Sequence, residues 1–176
     1  MRDPQPRYDS RVKKKHPFWL PKQRFLAGLL FAALALAAVI SARAEHEDPW
    51  MAEQMVQPAQ LAAALQQAGS AHLTVIYVGF KTLYAGAHIP GAVYYGPGST
   101  EQGTSDLKKY AATLEKNSDV VLYCGCCPLE KCPNLRPAFR ALKEMGISRL
   151  RVLILPNSFA ADWVKKGYPI HRGSTP

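Results

Sequence analysis

Apolar residues along the chain fall into two regimes. Residues 25–40, from Phe25 to Ile40, form one uncharged apolar run. From residue 57 onward, short apolar runs alternate with segments whose apolar positions recur every three to four residues. The runs Leu73–Val78, Val120–Tyr123 and Arg151–Leu155 are rich in β-branched residues, the pattern of strands covered on both faces. Helical spacing predicts four helices. Gln57–Ala68 has Pro58 at its start and Gly69 after its end; in Asp106–Lys116, Leu107, Tyr110, Ala111 and Leu114 share one face; Pro137–Met145 is stopped by Gly146 and Ser158–Lys166 by Gly167. Apolar strands alternating with amphipathic helices predict an α/β fold, a central, mostly parallel sheet with helices on both faces. Sites in such sheets lie at the carboxyl ends of strands. Cys124 stands at one of these ends.

The run 25–40 is 16 residues long, short of the roughly 17–25 a spanning helix needs. Basic residues precede it and Ala42-Arg43-Ala44 follows, which together read as a secretory signal cleaved before Glu45. The basic segment before the run is long, so retention as an inner-membrane anchor stays open beside cleavage. The expected organisation is a signal peptide or N-terminal membrane anchor over 1–44, a short linker over 45–56 and one domain over 57–172. Basic residues ahead of the run place the domain outside the cytoplasm, so the expected location is the periplasm.

Charge changes the picture less than its total suggests. The 176 residues include 22 Lys+Arg against 13 Asp+Glu, a formal net charge of +9. Nine of those basic residues and only two aspartates fall in residues 1–44, leaving +2 for the remainder. The foldable part therefore has no basic character of the kind nucleic acid selects, and no nucleic-acid partner is expected. An apolar content of 48% excludes a disordered chain. Four cysteines are too few for a disulfide scaffold of this length, and they are bunched at Cys124, Cys126, Cys127 and Cys132. They mark a local site.

The loop after Cys124 runs to a helix expected near Pro137, so loop N–H groups and the helix N-terminus are expected to converge on the thiol. Both favour negative charge and make a thiolate nucleophile. Cys126, Cys127 and Cys132 are auxiliary thiols, placed to resolve a disulfide or pass a sulfur onward. Two other readings stay open. Four soft thiolates suit Cu(I), zinc or an iron–sulfur cluster, although zinc sites usually pair cysteines from separated segments. In an exported protein the same thiols can also be structural disulfides that pin the loop of a non-catalytic interaction domain.

Three segments resemble the rhodanese-like domain family: Ala85-Gly86-Ala87-His88-Ile89-Pro90-Gly91-Ala92-Val93, the strand Val120-Val121-Leu122-Tyr123 delivering Cys124, and the tail Trp163, Gly167, Tyr168, Pro169. The resemblance spans about 115 residues, from near Gln57 to Ile170. It implies a rhodanese-like fold and a thiosulfate sulfurtransferase-like activity. Sulfane sulfur would pass from a small donor such as thiosulfate to a thiol or cyanide-like acceptor, through a persulfide on Cys124, with no cofactor. The alternative is a non-catalytic rhodanese-like module whose loop holds a soft metal through Cys124, Cys126, Cys127 and Cys132 or acts as a thiol/disulfide redox site. His88 is implied to be structural, its ring bonding nearby backbone.

The chain also departs from the family pattern. The family's Asp-Val-Arg after the first strand appears as Tyr77-Val78-Gly79, and Leu129 stands where an active-loop arginine is usual. The loop Gly125–Asn134 is about six residues longer than the family's. Lys131 and Arg136 are the next basic groups and hence the anion-binding candidates. Arg136 is favoured because a guanidinium forks onto oxyanions. Trp163 is expected in the core, and Lys108, Lys109, Lys165 and Lys166 on solvated helix faces. Gly96–Ser99 is a loop without the Gly-Lys-Ser/Thr of a phosphate cradle.

Overall fold

The computed structural model describes residues 48–67 and 72–173. The expected signal or anchor segment 1–44 and its apolar run lie outside the described residues, as do 45–47. Among the described residues no helix is long and apolar enough to cross a membrane.

Five strands form the sheet: β1 (Met55–Val56), β2 (Leu73–Tyr77), β3 (Val93–Tyr94), β4 (Asp119–Tyr123) and β5 (Arg149–Leu153). Their order is β1-β5-β4-β2-β3 and every pairing is parallel. Four helices connect them, α1 (Pro58–Gln66), α2 (Lys81–Gly86), α3 (Glu101–Ala111) and α4 (Leu135–Glu144), and α5 (Phe159–Asp162) follows β5. The expected parallel α/β sheet is what the chain forms, with a core on each face. Along β4, Val120 and Leu122 face one core with Leu107 of α3 and Phe139 and Leu142 of α4. Val121 and Tyr123 face the other, with Leu61 of α1, Tyr84 of α2 and Phe159 of α5. Both faces are sealed, which explains why these strands carry continuous apolar runs rather than alternating ones.

The elements differ from the sequence expectation mainly at their ends. Helix α3 begins and ends five residues earlier than Asp106–Lys116, because Thr100 caps it: its hydroxyl oxygen accepts from Gly103 N at 3.0 Å. The expected helix Ser158–Lys166 is split into α5 and a 3₁₀ turn at Val164–Lys166, with Trp163 between them outside helical geometry. The indole of Trp163, fully buried, donates to Pro169 O at 2.8 Å and ties the chain's last segment to the sheet. Strand β5 starts at Arg149 rather than Arg151, because Asp119 opposite pairs with both arginines, at 3.2 and 2.7 Å. The short strands β1 and β3 and the helix α2 are too brief to leave a periodic signal. Residues 48–56, expected as linker, pack on the domain: Trp50 is buried edge-on against Phe139, and β1 pairs with β5.

Candidate active site

Strand β4 is central, and its buried run delivers Cys124 to the carboxyl end of the sheet, where the thiol is 2% exposed. The long loop after it is anchored at two points. Phe159 N donates to Gly125 O at 3.3 Å, and Leu129 N donates to Leu155 O at 3.0 Å. A 3₁₀ turn at Leu129–Lys131 then folds the loop back, so that Cys132 is buried just before α4. The extra loop length thus brings the cysteines together. The sulfurs of Cys124, Cys126 and Cys132 lie within 4.8 Å of one another. Cys124 Sγ is 3.3 Å from Cys126 Sγ, which is 3.2 Å from Cys127 Sγ. All four are free thiols, Cys126 and Cys127 half-buried.

Asn134, fully buried, holds this cluster in place. Its Nδ2 points at Cys124 Sγ, 3.6 Å away, and at Cys126 Sγ, 3.9 Å away. Its Oδ1 accepts from both Ser99 N (3.1 Å) and Ser99 Oγ (2.8 Å). Those two bonds fix the amide orientation, so its N–H face is turned to the sulfurs. The loop Gly96–Ser99 therefore supports the site by positioning Asn134.

The helix N-terminus addresses a different sulfur from the one expected. Backbone N–H groups of Asn134 and Leu135 donate to Cys132, not to Cys124. The largest influence on Cys132 is a hydrogen bond from Cys124. Against the cost of burial, that bond and the two N–H groups bring the Cys132 thiol down to about 6. Cys124 moves the opposite way. Its proton is held by Cys132, and burial opposes its ionisation, so its acidity is well below that of a free thiol, although Cys126 N–H favours its anion. Burial, together with neighbouring sulfurs, pushes the Cys127 thiol up to about 12. The pair behaves as one thiolate and one thiol sharing a proton, with the charge resting on Cys132.

Tyr77 was not among the expected site residues. It occupies the position of the family's aspartate, and its ring lies in the core beside Tyr84, Tyr94 and Tyr123. Its hydroxyl is buried without a hydrogen-bond partner. Gly79 explains how the hydroxyl reaches the cysteines: a Cβ on Gly79 would lie 2.5 Å from Tyr77 Oη and 2.9 Å from Cys124 Sγ. Glycine in place of the family's arginine leaves the space that Oη and Sγ share.

The two anion-binding candidates stand apart from the sulfurs. Arg136 uses its terminal nitrogens on Cys132 O (3.2 Å), Glu130 O (3.0 Å) and the carboxylate of Asp48 (2.6 Å), and its guanidinium lies over Trp50. It braces the back of the loop. Lys131 is exposed on the 3₁₀ turn. His88 is structural: its Nδ1 lies 2.8 Å from Tyr84 O, its ring stacks on Tyr84, and its backbone pairs with His171. A cleft of about 330 Å³ opens beside the cysteine loop, lined by Tyr77, Leu83, Gly125, Phe159, Val164 and Arg172. A larger cavity, about 760 Å³, lies at the opposite, amino end of β2 and β4 around His72, Asp119 and Arg149. Strand polarity places it away from the thiols.

No protein-family model matches the sequence, and no curated protein is similar to it. Solved structures are similar in fold. The rhodanese-like domain of the Anabaena sp. Alr3790 protein, solved in solution, is 22% identical with a TM-score of 0.50, over 68% of this chain and 79% of that one. The crystal structure of the Alr3790 protein gives 22% and 0.52, over 66% and 82%. The BH2092 protein of Bacillus halodurans gives 20% and 0.53, over 67% and 76%. Strand order, the placement of Cys124 after β4 and these likenesses agree: the chain has the rhodanese-like fold.

Proposed function

We propose that this protein is a sulfurtransferase-type carrier that holds sulfane sulfur as a persulfide on Cys124 and works in the periplasm. The observation that carries the reading is the Cys124–Cys132 pair, a nucleophile and its base side by side at the carboxyl end of the central strand. The basic, apolar and Ala-x-Ala features of residues 1–44 support export.

With thiosulfate as donor the chemistry balances within the cluster. Cys124 Sγ attacks the outer sulfur of thiosulfate as its proton passes to the Cys132 thiolate. The sulfur–sulfur bond of the donor breaks and sulfite leaves with the electron pair. Cys124 is left as a persulfide anion and Cys132 as a thiol. Proton removal during attack answers the difficulty that burial poses for Cys124, since the free thiolate need never accumulate. The terminal sulfur carries the charge. Cys132 S–H, Cys126 N–H, Asn134 Nδ2 and Tyr77 Oη are the donors available to it, held in place around the buried Cys124. A nucleophilic acceptor entering from the cleft attacks the terminal sulfur and returns Cys124 to its thiolate, which recovers the proton from Cys132.

Intact mass spectrometry of the reduced protein after exposure to thiosulfate tests the reading. One added sulfur is expected, removable by cyanide and absent in Cys124→Ser. Equal sulfur loading in that variant would overturn it.

A further inference from the structure

Persulfide chemistry needs one nucleophilic sulfur and one base, yet the loop brings further thiols into the same place. The sulfurs of Cys124, Cys126 and Cys132 form a triangle whose members all lie within 4.8 Å of one another, one edge being 3.3 Å. An ion about 2.3 Å from each of three sulfurs, the zinc–thiolate distance, sets them roughly 4 Å apart. The triangle is thus near the size a single thiolate-bound ion requires before any rearrangement.

Its chemistry narrows the ion. Every donor is sulfur, which selects soft cations over Mg²⁺, Ca²⁺ or Mn²⁺. Three converge rather than four, whereas structural zinc sites are almost always four-coordinate. Cys127 touches Cys126 at 3.2 Å but is not one of the three sulfurs that converge. The outer shell is equally specific. Asn134 Nδ2 is directed at two of the three sulfurs and is held there by Ser99. Backbone N–H groups of Cys126, Asn134 and Leu135 face Cys124 and Cys132. N–H donors to thiolate sulfur offset the negative charge such a site accumulates, and outer-shell partners of this kind orient metal ligands. Cys124 and Cys132 are buried while Cys126 is half-exposed, so the triangle has a rigid floor and one open corner for entry.

We propose that Cys124, Cys126 and Cys132 form a three-coordinate site for a soft monovalent cation, Cu(I), open at the Cys126 corner. Because Cys124 serves both as a ligand and as the sulfur acceptor, metal and sulfane sulfur compete for the loop.

The test is anaerobic titration of the full, reduced chain with Cu(I) against a chromogenic Cu(I) chelator, with zinc titrated separately. One equivalent of Cu(I) is expected to be withdrawn from the chelator. Cys126→Ser, a change at the half-exposed corner, is expected to weaken binding by more than about 100-fold, since losing even an outer-shell partner costs 10–100-fold. Cys127→Ser is expected to bind as the parent does. Circular dichroism of both variants checks that they remain folded. Failure of the parent to compete would overturn the proposal. Equal losses in the Cys126 and Cys127 variants, or tighter binding of zinc than of Cu(I), would overturn the three-sulfur assignment. Thiosulfate loading of the same samples separates the two functions: metal-free protein gains sulfur and Cu(I)-loaded protein does not. Sulfur loading without Cu(I) binding would sink the metal site alone, and the reverse would sink the persulfide reading alone.

Discussion

The amide of Asn134 and the hydroxyl of Ser99 lie 2.8 Å apart, and through that bond a turn far from the cysteines in sequence sets the direction of a side-chain amide that faces them. Asn134→Ala would remove a fully buried hub, leaving Ser99 N–H and Oγ without their acceptor. Ser99 itself is exposed, so water can take the acceptor's place. The loss is the net worth of the two bonds, about 0.5–1.5 kcal/mol each, and the urea midpoint is expected to fall by that equivalent. Persulfide lifetime is expected to shorten as well. Ser99→Ala separates the two effects. It removes the 2.8 Å bond but keeps Ser99 N bound to Asn134 Oδ1, so it should cost less stability while still loosening the amide. A Ser99→Ala protein whose persulfide decays as slowly as the parent's would show that amide orientation is irrelevant.

Cys132, not Cys124, is expected to be the thiol that ionises first as pH rises. Its thiolate should appear near pH 6, where hydrogen bonds from Cys124, Asn134 N and Leu135 N place its ionisation. Because the sulfur is buried, the readout is ultraviolet thiolate absorbance of the folded protein, with Cys132→Ser as the control that assigns the transition. Cys124→Ala removes the largest of those bonds and should move the onset upward. Stability follows the same protons. Between pH 6 and about 9 the folded chain has lost the Cys132 proton that the unfolded chain still holds, so stability rises with pH. Above about 9 the unfolded chain sheds protons that folded Cys124 and Cys127 retain, so stability falls again. A urea midpoint that is flat from pH 6 to 9 would contradict this assignment.

The sheet was legible because its strands are sealed on both faces. Val120–Tyr123 and Leu73–Val78 carry a burial signal that no surface strand would. Helix boundaries were less so: the cap at Thr100 lies seven residues ahead of Leu107, the first apolar position of the repeat in α3, and nothing in the spacing marks it. Cys124 was placed by the strand that ends at it. Its partnership with Cys132 was not, because the turn at Leu129–Lys131 that closes the loop has no periodicity. Arg136 shows the limit of reading chemistry from residue type. Its fork matches an oxyanion, but Asp48 and two carbonyls hold its terminal nitrogens instead. Asn134 and Tyr77 act through burial, which a sequence shows poorly for polar residues. The substitution of Tyr77-Val78-Gly79 for the family's Asp-Val-Arg was the available signal for one of them.

Arg136→Gln is expected to loosen the loop without touching a sulfur. It removes the 2.6 Å ion pair with Asp48 and the guanidinium over Trp50. Asp48 is partly exposed, so the ion pair itself contributes only about 0–1 kcal/mol. The larger effect should be local: faster amide exchange over residues 128–134 with nearly unchanged exchange in β4. If exchange in that loop is unaltered, the bracing role fails. If instead thiosulfate KM rises while loop exchange is unchanged, Arg136 binds the donor after all.

Tyr77→Phe sets stability against function. The hydroxyl is buried with no partner, and burying a hydroxyl unpaired costs about 1–3 kcal/mol by protein mutational measures. Deleting it leaves the ring contacts with Tyr84, Tyr94 and Tyr123 in place. The variant should therefore be as stable as the parent or more so, read from the urea midpoint. Sulfur transfer should slow by about 10–100-fold, because a donor aimed at developing charge acts only when that charge is present. Gly79→Ala is the complementary change. Its Cβ meets Tyr77 Oη at 2.5 Å and Cys124 Sγ at 2.9 Å, so it should cost about 1–3 kcal/mol by overpacking and slow transfer too. Combining the two gives a sharper result. Without the hydroxyl the added methyl loses its nearest clash, so stability in Tyr77→Phe/Gly79→Ala should recover part of the Gly79→Ala loss while transfer does not. Recovery of transfer together with stability would mean that Tyr77 only fills space.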